Sequence, residues 1–254
     1  MKNTDEKLTL FQVRSVAIVG VSEEAGRIGS GLYKSMVDSF PGPIYCVNPK
    51  YDRIWGQACY GSVLDLPETP SHAVIAVARK FVLPVLEQCA DKGITNVVVI
   101  SAGFKETDQT GAQLEAQMTQ LCKERGITLL GPNTLGFIDT SIPYNGTFLP
   151  DNYLPGPVSV ISQSGGVGIA LISALQDQHC GIRKWVGIGN EAVLDAVQLL
   201  RYFAQDPDTK AIGVCFEGLK NLPGFLRLAR EVNRYKPVVL LRDGKGSVGM
   251  TAAA

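Results

Sequence analysis

Short apolar runs alternating with amphipathic helical stretches constrain this chain more than any other feature. The first run is Val16-Ala17-Ile18-Val19-Gly20, followed by a Gly-rich turn and a helical pattern over 30–40. The next are Ile44–Val47, closed by Asn48-Pro49, and Ala73–Val77, followed by a helical pattern over Phe81–Lys92. Val97–Ile100 is almost wholly β-branched, which predicts a strand buried on both faces. Gln109–Arg125 reads as a helix stopped by Gly126, and Ile127–Leu130 as a fifth strand. Strands that alternate with helices of this length form parallel sheets with crossover helices.

The stretch 131–157 breaks the pattern. It carries five prolines with several glycines and asparagines, and it reads as loop and domain connection. The alternation then restarts: strand Val158–Ile161, helix Val167–Gln178, strand Trp185–Ile188, helix Val193–Ala204, strand Ala211–Phe216, helix Phe225–Tyr235, strand Val238–Leu241. A chain of 254 residues is long enough for two ordinary domains. The division is expected at residue 150, with domains over 1–150 and 151–254.

Composition excludes several function classes. Lys plus Arg and Asp plus Glu both number 24, so the formal net charge is zero, unlike a nucleic-acid binder. No apolar run approaches the roughly 20 residues that span a bilayer. The polar start MKNTDEKLTL lacks the apolar stretch of a signal peptide, so no membrane association and a cytoplasmic location are expected. Of the six cysteines none forms a CxxC pair, which predicts buried, reduced thiols and no metal site.

Candidate chemistry lies at the carboxyl ends of the strands, where open α/β sheets bind ligands. The turn Gly20–Gly29 follows a strand and opens a helix, so its N–H groups suit a phosphate. A plain strand–helix connection accounts for the same residues. The second strand ends in Asn48-Pro49-Lys50, where an NAD site has an acid for the ribose hydroxyls. Lys50 suits a ribose phosphate, which both CoA and NADP carry; a solvated loop lysine is the plainer reading. Ser101-Ala102-Gly103 and Gly131–Thr134 are small-residue loops that admit a ligand close to backbone or simply pack. Ser162–Gly166 joins a strand to a helix and forms a second anion cradle or a capped helix start. It is no nucleophile elbow, because Ser162 stands where that motif has glycine. Glu217 ends a strand as a candidate to orient a catalytic group or as a solvated acid. Gly189-Asn190 is another loop at that edge.

Taken in order, the segments SVAIVGVS, VNPK, GSVLDLPE, HAVIAVA, VVVISAGFKE, LLGPNTLGFID, VSVISQSGG, GIGNEAVLD, YFAQDPDTKAI, FEGLKN and KPVVLLRDGK resemble the NDP-forming acyl-CoA synthetases over nearly the whole chain. That superfamily includes succinyl-CoA synthetase α-subunits and ADP-forming acetyl-CoA synthetases. The resemblance implies a Rossmann-like CoA-binding domain followed by a flavodoxin-like, succinyl-CoA synthetase-like α/β domain. It implies CoA phosphates bound by Gly20, Ser22, Arg27, Ile28 and Gly29, and Lys50 by the adenosine end. Ser101, Ala102, Gly103 and Asn133 would border the arm near its thiol. Gln163, Ser164 and Gly165 would cradle a phosphoryl group, and Glu217 would hold a phosphorylated histidine. The reaction implied joins a small carboxylic acid to CoA through phosphohistidine and acyl phosphate. ATP and Mg²⁺ would enter through an ATP-grasp domain or β-subunit outside this chain, in a homo- or hetero-oligomer.

Two departures stand out. The family histidine lies in a Ser-His-Thr-Gly segment; this chain has only His72 and His179, neither at a matching place, and both read as structural. The chain closes on Thr251-Ala252-Ala253-Ala254, where that segment is expected to begin, so the resemblance implies a part of a longer protein that is inactive alone. Ala78-Arg79-Lys80 also stands where relatives carry proline and small residues. A CoA-sensing regulatory module of an acetyltransferase-like fusion is the alternative, since sensors can lose the histidine. An NADP-dependent oxidoreductase is weaker, because no Tyr-x-x-x-Lys pair occurs.

Overall fold

A computed structural model describes residues 8–149 and 153–242. Two mixed α/β sheets make up the molecule. The first has the strand order β3-β4-β2-β1-β5-β6-β7. Its strands are β1 (Val16–Val19), β2 (Ile44–Val47), β3 (Arg53–Ile54), β4 (Gln57–Tyr60), β5 (His72–Ile75), β6 (Asn96–Val99) and β7 (Thr128–Leu130). β1 pairs in parallel with both β2 and β5, and every residue of β1, β5 and β6 is buried. That is why these runs are continuous rather than alternating: helices cover both faces. The helices are α1 (Ile28–Val37), α2 (Val82–Lys92) and α3 (Gln109–Arg125). Gly93 (φ +85°) and Gly126 (φ +66°) end α2 and α3 in the left-handed conformation that glycine adopts without strain.

The second sheet has the order β13-β12-β10-β11-β8-β9. β10 (Pro155–Ser162) lies between β11 (Ile182–Gly187) and β12 (Ala211–Phe216), with β13 (Val238–Arg242) outside β12, all parallel. The helices are α4 (Gly165–Asp177), α5 (Ala196–Gln205) and α6 (Leu222–Val232). Asp195 and Gln198 form a reciprocal capping box at the start of α5. Each sheet thus has a strand, β1 or β10, whose two neighbours follow it in opposite directions. A crevice opens at the carboxyl end of such a strand.

The expected loop over 131–157 is corrected by the structure. It contains β8 (Phe137–Asp139) and β9 (Tyr144–Asn145), which extend the second sheet, β8 antiparallel to β11. Strands of three and two residues are too short to show a period, and the prolines and glycines around them dominate the local signal. This pairing crosses the division expected at residue 150. Phe137 and Tyr144 pack at 4.7 Å, and Phe11 meets Phe137 edge-on at 5.3 Å and stacks on Tyr202 at 4.6 Å. One hydrophobic core, holding both Ile18 and Val214, joins the sheets. The hairpin β3–β4 was also not expected. Its turn is Trp55-Gly56, both at positive φ (46° and 77°), without the Asn or Asp that usually announces such a turn.

No helix among the described residues is long and apolar enough to cross a membrane. All six cysteines are free, and all but Cys180 are buried. His179 is exposed at the far end of α4. His72 is fully buried, its ring nitrogens on Ser71 Oγ (2.9 Å) and the Leu10 carbonyl (2.8 Å). Burial lowers its pKa from 6.5 to about 4, against the raising effect of the Leu10 carbonyl. The unfolded chain therefore binds a proton more readily than the fold. Stability is full above pH 6.5 and declines as pH falls toward 4. A urea titration is expected to lose about 2 kcal/mol between pH 7 and 5 from this group. A His72→Gln chain should lack that slope; an unchanged slope would refute the assignment.

Candidate functional site

The turn after β1 is built by backbone approach. A Cβ on Gly20 (φ +96°) would lie 2.4 Å from the Ala76 carbonyl oxygen at the end of β5, and one on Gly29 only 2.1 Å from the Gly20 oxygen. The start of α1 is thereby drawn onto the end of β1, so its first N–H groups face the crevice. Ser22 Oγ accepts from the Glu24 N–H (3.2 Å), closing the turn. Arg27 pairs with Glu24 at 2.8 Å, with both side chains well exposed (67% and 60%), so the pair holds it weakly. The Asn48 amide donates to the Val21 carbonyl (2.7 Å), and Asn48 Oδ1 accepts from the Lys50 N–H (3.0 Å). This pins the loop after β2 to the Gly20–Gly29 turn, and Lys50 beside it is exposed.

Ser101 is buried and donates to the Val77 carbonyl (2.6 Å), so it ties strand ends together. Gly103 (φ +99°) and Phe104 donate their N–H groups to Glu106 Oε1, at 2.6 and 3.1 Å. Arg79 explains one departure noted above. Its Nη1 reaches the Gly103 carbonyl (2.7 Å) and Asp108 (2.9 Å), so its charge braces this loop. Lys80 lies over the Phe81 ring at 4.9 Å. Asn133, itself left-handed (φ +59°), donates its N–H to the Ser101 carbonyl (2.9 Å).

From the second sheet, Ser164 caps α4 through the Val167 N–H (3.5 Å). Gln163 is a clamp. Its Oε1 accepts from the N–H groups of Glu217 and Gly218, both 3.0 Å, and its Nε2 donates to the Gly218 carbonyl at 3.0 Å. The Glu217 loop is thus fastened to the helix cradle. The half-buried Glu217 carboxylate itself has no protein partner among the described residues.

These elements enclose a cleft of about 810 Å³. Ile28, Ala102 and Asn133 line it from the first sheet; Gln163, Ser164, Gly165 and Glu217 line it from the second. Gly20, Ser22, Arg27, Gly29, Lys50, Ser101 and Gly103 do not line its wall; of the turn after β1, Ile28 does. The charged groups in the wall are Lys105, Glu106 and Glu217. The cleft wall has no excess of cations, so the starts of α1 and α4, which reach it at Ile28 and Gly165, are its electropositive elements.

Sequence reasoning missed Lys105, Glu106 and Glu191. Glu191 is 2% exposed and left-handed (φ +54°). It accepts from the Ala196 N–H (2.9 Å) and the Lys220 N–H (3.1 Å), tying α5 to the Glu217 loop. Burial raises its carboxyl pKa, opposed by those two N–H groups. Burial also pushes the Glu106 carboxyl up, but the Asn190 amide and the N–H groups of Gly103 and Phe104 outweigh it and hold it below its ordinary value. The available signal was positional: both acids follow strand ends.

Comparison with known proteins adds a second line. Residues 14–140 match the model of a CoA binding domain, and residues 155–254 that of a succinyl-CoA ligase like flavodoxin domain. Over 96% of its length the chain is 38% identical to the alpha subunit of the ADP-forming acetate–CoA ligase I of Pyrococcus furiosus, covering 54% of it. It is 39% identical to the ADP-forming acetate–CoA ligase I of Archaeoglobus fulgidus, covering 36% of that protein. The fold superposes on the apo dinucleotide forming acetyl-coenzyme A synthetase 1 of Ca. Korarchaeum cryptofilum with a TM-score of 0.90 at 36% identity, over 97% of this chain and 54% of that one. The chain thus spans about half, or less, of the length of these relatives.

Proposed function

We propose that this chain, which belongs to the NDP-forming acyl-CoA synthetase superfamily, holds CoA and a phosphoryl group against each other in an acid–CoA ligase. One observation carries the reading: the crevices of the two sheets open into a single cleft, with Ala102 and Asn133 facing Ser164, Gly165 and Glu217. The tight Gly20–Gly29 turn fits a pyrophosphate, because only bare backbone stands at the closest approach. Lys50 beside that turn takes the ribose phosphate, and the arm runs past Ala102 toward Asn133.

CoA supplies the thiol, and ATP with Mg²⁺ supplies the phosphoryl group through an ATP-grasp domain or β-subunit. The residues of this chain do the positioning. The start of α4 and the Ser164 hydroxyl neutralise phosphoryl oxygens. Gln163 holds the Glu217 loop, so that the free carboxylate accepts a hydrogen bond from a histidine ring N–H brought to the cleft. Neither His72, buried at the amino end of β5, nor His179, at the opposite end of α4 from Ser164, serves as that ring. The substrate is a small carboxylic acid, and the protein works in the cytoplasm as an oligomer. The relatives named above are ligases, and no observation favours the regulatory-module reading.

Calorimetry tests this. The chain should bind CoA, and Lys50→Ala should weaken binding about tenfold, the worth of one charge-assisted hydrogen bond. NADP should show no comparable affinity. Equal affinities for CoA and NADP would overturn the assignment.

A further inference from the structure

Asn190 sits in the cleft wall at a convergence of charge. Its side chain is 7% exposed, on a turn flanked by left-handed Gly189 (φ +56°) and Glu191 (φ +54°). Its Nδ2 donates to Glu106 Oε2 (2.6 Å) and to Glu115 Oε2 (2.8 Å), and its Oδ1 accepts from Asn133 Nδ2 (3.4 Å). Lys105 pairs with Glu115 Oε1 at 3.3 Å and donates to the Asn190 carbonyl. The other Glu106 oxygen holds the Gly103 and Phe104 N–H groups. A continuous hydrogen-bonded path therefore runs from a loop of the second sheet, through one amide and one carboxylate, to the loop that borders the CoA arm.

We infer that Asn190 is a positioning residue for CoA: its amide fixes Glu106, and through it the Gly103–Phe104 backbone, in the geometry that admits the CoA arm. The inference rests on the CoA reading above. The residue type is demanding. Two carboxylates need two donors from one neutral group, which an amide supplies and no charged side chain of this size does. The ionisable groups facing it are Glu106 from the loop after β6, Glu115 from α3 and Lys105 between them. On its own loop, Glu191 turns its carboxylate away to Ala196 and Lys220.

The test is CoA calorimetry on the full chain at pH 8 and pH 6, with Asn190→Ala, Asn190→Asp, Glu106→Ala and the Glu106→Ala/Asn190→Ala double variant. At pH 8 both Asn190 variants should bind CoA about tenfold more weakly, with the unaltered chain little changed between the two pH values. Asn190→Asp crowds three carboxylates around one ammonium. Protonation of one of them at pH 6 restores an O–H donor, so this variant should regain most of its affinity, and Asn190→Ala should not. If Asn190 acts through Glu106, the double variant should bind no more weakly than Glu106→Ala alone. Asn190 variants with unchanged affinity, or additive losses in the double variant, would overturn the inference. Failure of the unaltered chain to bind CoA would remove the CoA reading itself, and this inference with it.

Discussion

Asp139→Ala is expected to cost about 3–5 kcal/mol of folding free energy, the penalty for leaving one partner of a buried ion pair alone. Lys184 Nζ lies 2.7 Å from Asp139 Oδ2, with the side chains only 4% and 2% exposed. They face each other across the antiparallel β8–β11 register. Asp139 Oδ1 is also engaged, accepting from the Ser141 N–H (2.9 Å) and hydroxyl (2.5 Å). Without Asp139, the ammonium keeps, among the described residues, Ser141 Oγ at 3.3 Å and the Phe11 ring at 5.5 Å. Those contacts do not replace a carboxylate in so dry a place. The double change Asp139→Leu with Lys184→Met removes both charges and should cost far less than the single one. Urea unfolding followed by circular dichroism reads both. A single-variant loss under about 1 kcal/mol, typical of an exposed pair, would show that β8 does not bury this pair.

Gly29→Ala should abolish measurable CoA binding, a loss of about 100-fold or more, and lower stability by roughly 1–3 kcal/mol. The new Cβ would lie 2.1 Å from the Gly20 carbonyl oxygen and 2.9 Å from Val21 Cα, both backbone atoms that cannot rotate away. Relief requires the start of α1 to move off the end of β1, which opens the phosphate turn. Gly166→Ala is the control for stability, because a Cβ there meets nothing within 4 Å. It should fold at least as well as the unaltered chain, since alanine is the better helix former. Retained CoA affinity in Gly29→Ala would mean that the turn is not the phosphate site.

Much of the fold was legible in the chain. Runs such as Val97–Ile100 are apolar throughout because β6 is covered on both faces, and that pattern is local. The span of α3 was read to the residue with Gly126 as its stop, and the structure adds Asp108 as the cap at its start. The missed elements have physical reasons in common. β8 and β9 are too short for a period, and β3–β4 turns on a Trp-Gly pair. Within the site, the glycine turns and Glu217 stood out as candidates in the sequence, whereas Glu106 and Glu191, which also follow strand ends, did not. The sequence did not announce that the Gln163 amide clamps the Glu217–Gly218 backbone. Arg79, which departs from the proline and small residues of relatives, is tied to Gly103 and Asp108.

By itself the sequence determined the alternation of buried strands and helices in two α/β halves, and the small-residue turns that follow the strands. These follow from hydrophobic period and from glycine's freedom at positive φ, which neighbouring residues decide. Tertiary structure alone decided that the turns of both sheets open into one cleft, and that Asp139 and Lys184 meet in its supporting sheet. It also decided that Asn190, Glu106 and Glu115 share their hydrogen bonds. Those pairings join residues 45 to 84 positions apart. No local pattern encodes them, because a buried charge or amide finds its partner only when the surrounding core excludes water.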